Sequence, residues 1–203
     1  MLVEHKFMNT MQAPEISPGL FEYLVAANGV FVRAERPGLR AMIWESGVTQ
    51  AIGGLYSALP YVQTVPVPSR LLRLALELSL GAAPKEALFW LLPDPWRMVM
   101  PMQIQSGGTV RPADEFHPAA KDALVEIHSH HDMAPFFSST DNRDEQGFRI
   151  YAVLGYIHRR PTIRVRVGIY GHFMEIPACW AFEMPGVIAD ALAPAWELDY
   201  DYV

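Results

Sequence analysis

The sequence predicts an α/β protein: a mixed β-sheet with flanking helices, preceded by a small β-rich unit. Three observations carry this expectation. RLLRLALELSL, after Ser69, places apolar residues at helical spacing. FRIYAVLGYI and TIRVRVGIY, on either side of His158-Arg159-Arg160-Pro161, are rich in β-branched and aromatic residues, as strands are. Asn28-Gly29 between FEYLVAA and VFVRAE is a short-range hairpin signal, because both residues tolerate the positive φ of a type I′ turn.

In chain order, the first dozen residues read as a loose leader. A three-stranded meander follows over 20–46, its second turn at Arg36-Pro37-Gly38, and 46–60 reads as connector. VQTVPVP opens a second unit near Val62. Ser69 is the expected N-cap of a helix that buries Leu71, Leu74, Ala75 and Leu78 and stops at Gly81. The apolar run in KEALFWLL suggests a central strand covered on both faces. WRMVMPMQI reads as a further strand, its methionines as packing. ALVEIHSH is a strand running into a polar loop and short helix, followed by the two strong strands and FMEIPACWAFE. The expected division is 1–61, a β-meander extension; 62–182, the α/β domain; and 183–203, an acidic C-terminal tail ending WELDYDYV.

Composition narrows the function. The chain has 203 residues, 51% hydrophobic and 19% charged, which suits a soluble globular protein. A net charge of −6 argues against a general nucleic-acid binder. A single cysteine, Cys179, excludes an internal disulfide and a cysteine-based zinc cluster, and it fits a reducing compartment. No signal-peptide-like or membrane-spanning run is visible, so a cytoplasmic location without membrane attachment is expected.

The chemistry concentrates in 126–141, EIHSHHDMAPFFSSTD. His128 and His130 lie two apart on a strand, so their side chains share a face. Seven residues separate His130 from Ser138, and two more separate Ser138 from Asp141, a loop long enough to return a carboxylate to the imidazoles. Two histidines and one aspartate are the three protein ligands of a catalytic zinc site, leaving a fourth position for water. Glu126 shares the histidines' face as a supporting group or alternative base; His131 and Asp132 read as loop residues.

The pattern His-Ser-His, seven residues, Ser, two residues, Asp resembles that of the JAMM metalloproteases, also called the JAB or MPN+ family. The resemblance covers roughly 62–182 and implies a JAB/MPN-like, cytidine-deaminase-like sheet. It also implies a catalytic glutamate at the junction of the first long helix and the next strand, which is Glu86 here, 42 residues before His128. By that resemblance zinc (Zn2+) sits on His128, His130 and Asp141, Glu86 is the general base, and Ser138 donates a hydrogen bond to the oxyanion. Two departures stand out: His131 replaces the proline that commonly follows His-Ser-His, and NRDEQG is too short for the insertion with which eukaryotic members grip ubiquitin chains. With its β-rich extension, the whole chain also resembles the JAB-domain component of the bacterial ParB-related, ThiF-related (PRTRC) cassette. The implied activity is hydrolysis of a peptide or isopeptide bond at the C-terminus of a ubiquitin-like protein, the expected substrate and partner.

Rival readings are weaker. HSHHDM approaches the His-x-His-x-Asp-His pattern of metallo-β-lactamase-like enzymes, but Met133 stands where the last histidine belongs. A non-catalytic MPN scaffold with a structural zinc site would need a fourth protein ligand, such as Glu126 or His131. Arg159, Arg160, Arg164 and Arg166 make one hairpin basic, either as a solvated sheet face or as a dock for an acidic partner.

Overall fold

The computed structural model describes residues 3–192, in which two sheets pack against each other and around one long helix. In the first sheet, β1 (Glu4–Phe7) runs parallel to β2 (Glu22–Ala26), followed antiparallel by β3 (Gly29–Arg36), β4 (Leu39–Gly47) and β5 (Tyr61–Thr64). The meander is as expected, but the leader supplies an edge strand and Tyr61–Thr64 belongs to this sheet rather than to the second unit. The hairpin turn is Ala27-Asn28, one residue earlier than the Asn-Gly signal suggests, with Gly29 already paired to Ala26. Gly29 has φ +153°, and a Cβ there would overlap the Ser46 carbonyl oxygen, so the position requires glycine. The Asn28 amide bonds both ways with the backbone of Ala58 and ties the long connector to the turn.

Helix α1 (Ser69–Ala82) follows Pro68, which occupies the N-cap position without a side-chain bond; Ser69 is the first helical residue, not the cap. Its buried face is Leu71, Leu72, Ala75, Leu76 and Ser79, whereas Leu74 and Leu78 face outward. The expected stripe was therefore rotated by part of a turn, because Leu72 and Leu76 fit the apolar pattern equally well.

The second sheet begins with β6 (Leu88–Leu92) and β7 (Arg97–Val99). The run expected as one strand breaks at Pro101, which has no N–H for a ladder. Beyond it β8 (Gln103–Gln105) forms a separate hairpin with β9 (Val110–Pro112). Met100 and Met102 are exposed, so only Met98 of that alternating trio packs against the core. After α2 (Pro118–Asp122) come β10 (Val125–Ser129), α3 (Ser139–Asp144), β11 (Arg149–Gly155), β12 (Thr162–Ile169), β13 (His172–Ile176) and β14 (Ala189–Asp190). The strand order is β13-β12-β11-β10-β6-β7, with β14 added to the start of β12. The sheet is mixed: β10 is parallel to β11 and antiparallel to β6. The last eleven residues of the expected tail, 193–203, lie outside the described residues.

One core joins the two sheets. Val32, Ala34, Leu39, Ala41 and Ile43 of the first share it with Leu72, Phe89, Ile127, Ile150 and Val165. Arg36 reinforces the junction by donating to the carbonyls of Lys121, Ala123 and Phe148, just ahead of β10 and β11. β6 is buried along its whole length because Phe89 and Leu91 enter that core while Leu88, Trp90 and Leu92 pack under α2. No helix among the described residues is long and apolar enough to cross a membrane.

Candidate metal centre

The sheet face opposite α1 carries the site. Strand pairing sets Trp90, Glu126, Tyr151 and Arg166 in one row across β6, β10, β11 and β12, and Leu88, His128 and Val153 in the next. His128 stands on β10 and His130 one residue past its end, held by its N–H to the Leu154 carbonyl. The chain then turns sharply through His131, at φ +48°. Proline, locked near −65°, cannot adopt that conformation, so the histidine here goes with a different loop backbone. The His131 ring is buried, and neither of its nitrogens has a hydrogen-bond partner among the described residues.

The loop lies tightly on β11. A Cβ at Gly155 would overlap the backbone of Met133 and Pro135. We expect Gly155→Ala to cost about 1–3 kcal/mol, read as a lower midpoint in urea unfolding, because backbone rather than a flexible side-chain end must move.

At the far end of the loop Ser138 caps α3 in a reciprocal capping box. Its Oγ accepts from the Asp141 N–H at 3.2 Å, and its own N–H donates to Asp141 Oδ2 at 2.5 Å. This box leaves Asp141 Oδ1 facing the histidines, 3.7 Å from His128 Nε2. The two histidine Nε2 atoms are 3.2 Å apart, and the donor atoms of His128, His130 and Asp141 all fall within 4.8 Å of one another.

Donors on a tetrahedral zinc, bonded at about 2.1 Å, stand roughly 3.4 Å apart, so the trio fits such an ion. The surroundings prepare the ligands. Asp141 spends one oxygen on the cap, and the Ala134 carbonyl, 3.3 Å from His130 Nδ1, favours the tautomer that leaves Nε2 free. Burial lowers the pKa of both His128 and His130, so they are neutral and able to ligate at pH 7.

Glu86 comes from the turn between α1 and β6. The antiparallel pairing of Leu88 with His128 brings it beside the trio, Oε1 4.0 Å from His130 Nε2. Its backbone is fixed by the β8–β9 hairpin: Glu86 N–H donates to Ser106 O, and Gln105 Nε2 donates to Glu86 O at 2.7 Å. Gln103 Oε1 accepts the neighbouring Leu88 N–H. Burial, with a smaller contribution from Asp141, raises the Glu86 carboxyl to about 7. Glu126 is half-buried, its Oε2 accepting from Trp90 Nε1 at 2.9 Å and Arg149 Nη1 at 3.3 Å. Its carboxylate is not among the converging donor atoms, so it does not close the site as a fourth ligand.

These groups line one cleft of about 470 Å³, walled by Gly108, Thr109 and Val110 on one side and Met133 and Phe136 on the other. The structure thus brings together all five residues singled out from the sequence. Arg166 departs from the surface reading. It is buried and bonded to α3, whereas Arg164 is part-exposed and pairs with Glu175. Its alternation with buried Val165 and Val167 marks it as belonging to the opposite sheet face, but nothing in the sequence says that α3 covers that face.

Residues 68–167 match the family described as prokaryotic homologs of the JAB domain. That segment is a domain of the JAB/MPN family, which includes metalloproteases. No curated protein matches the chain.

Proposed function

We propose that the chain is a zinc-dependent peptidase or isopeptidase of JAMM type, cleaving a peptide or isopeptide bond at the C-terminus of a ubiquitin-like protein. The observation that carries this reading is the convergence of three well-spaced ligand atoms and a buried, near-neutral carboxylate in a single cleft. Zinc held by His128, His130 and Asp141 would supply Lewis acidity and ready a water for attack near neutral pH.

The chain's own groups provide the rest. Glu86, poised near 7, is suited to accept the water's proton and return it to the departing amine. Because Ser138 Oγ already accepts the Asp141 N–H, its hydroxyl hydrogen is left to point into the cleft and bond the carbonyl oxygen as charge develops there. Val110, Met133 and Phe136 offer apolar walls to an extended backbone entering between them. A closed structural site fits less well, since among the described residues the converging donor atoms come from His128, His130 and Asp141 and not from Glu126.

The test is incubation of the zinc-loaded chain with ubiquitin-like proteins extended at the C-terminus by a peptide or joined there to a lysine. Cleavage should occur at that junction and stop on adding a chelator. Glu86 loses its basic form as pH falls through about 7, so kcat/KM should rise across roughly pH 6 to 8. Absence of cleavage from every such substrate would remove the hydrolase reading.

A further inference from the structure

We infer that Arg166, on a strand two removed from the histidines, is the positioning residue that holds the third metal ligand in place. The inference rests on the reading of His128, His130 and Asp141 as a metal site. α3 is six residues long, too short to be stable alone, and its capping box orders only its first turn. Its placement over the sheet must therefore come from contacts with the rest of the fold.

One guanidinium supplies them at three points. Arg166 Nη1 donates to Asn142 Oδ1 at 2.6 Å, while Nε and Nη2 both donate to Glu145 Oε2, at 2.9 and 2.6 Å. Its plane lies between the rings of Phe137 and Phe173, 4.0 and 3.9 Å from their centroids. Phe137 immediately precedes Ser138, Asn142 immediately follows Asp141, and Glu145 closes the helix. Arg166 thus grips α3 before, within and after the segment that carries the ligand and the hydroxyl.

Arg166 does not line the cleft, and its hydrogen bonds run to Asn142 and Glu145 rather than to the histidines. Arg166 and Glu145 are both buried, so removing either strands the other's charge away from water. Lysine keeps the charge but has neither the planar fork nor the flat face that two aromatic rings can enclose. Substitution by lysine should therefore loosen the ligand helix while leaving the core that faces α1 intact.

The experiment compares Arg166→Lys with wild type in three measurements: zinc affinity by competition with a chromophoric chelator, amide hydrogen exchange of the metal-free chain, and thermal unfolding. The expected result is zinc affinity weakened by about tenfold or more, with faster exchange confined to 137–146. Ile43→Val serves as a control that lowers stability in the distant core without altering either readout. Glu145→Gln keeps the helix-side shape and should reproduce both effects if Arg166→Lys does not fold. Zinc affinity within about twofold of wild type, with unchanged exchange over 137–146, overturns the inference. His128→Ala separates the two claims: if zinc binding is absent from wild type or indifferent to this change, the metal reading fails, and the exchange measurement alone decides whether Arg166 holds α3.

Discussion

Glu86→Gln is expected to lower the rate of hydrolysis by about 10²–10⁴-fold while leaving bound zinc unchanged. Glutamine has nearly the same shape, and the bonds that place this residue are made by its backbone, to Ser106 and Gln105, so the substitution leaves them in being. It removes one capacity, that of taking up a proton at Oε1, 4.0 Å from His130 Nε2. Glu86 is also outside the three-residue ligand group, so metal content should not follow its charge. Single-turnover rates together with elemental analysis of the same preparation check both halves. Hydrolysis that continues unimpaired would take Glu86 out of the mechanism.

The second large effect is structural. A chain lacking residues 1–66 is expected to fail as a folded domain, although the family match begins only at residue 68. The first sheet contributes Val32, Leu39 and Ile43 to the same core as α1 and the strands that carry the site. Burying each contributes about 1.5–3 kcal/mol, and a typical domain's whole stability is about 5–15 kcal/mol. The deletion also removes Arg36, leaving the carbonyls of Lys121 and Phe148 without that donor beside the starts of β10 and β11. Circular dichroism and thermal unfolding of residues 67–203 test this. A cooperative transition close to that of the full chain would show that the first sheet is dispensable.

Much of the site was legible because it follows local periodicities. Alternation along β10 sets His128 beside His130, and the Ser138–Asp141 spacing is that of a capping box, which by itself aims one carboxylate oxygen outward. Glu86 was legible only through family resemblance, since no local rule says that Leu88 pairs with His128. Arg166 was misread for the same reason: alternation gives its face, but its cover, α3, is a tertiary fact. Met100 and Met102 kept their alternation yet are exposed, because Pro101 ends the strand and the chain leaves the sheet. The leader's strand depends on pairing with β2, whose partner the four residues Glu4–Phe7 do not announce.

The central claim is that His128, His130 and Asp141 hold one metal ion. Zinc content of the chain purified without chelator, measured beside Asp141→Ala, tests it most directly. The account predicts about one zinc per native chain and a sharp loss in the variant, since two imidazoles alone leave the site short of a ligand. No zinc in the native chain and none taken up on addition, or equal zinc in both proteins, would contradict it.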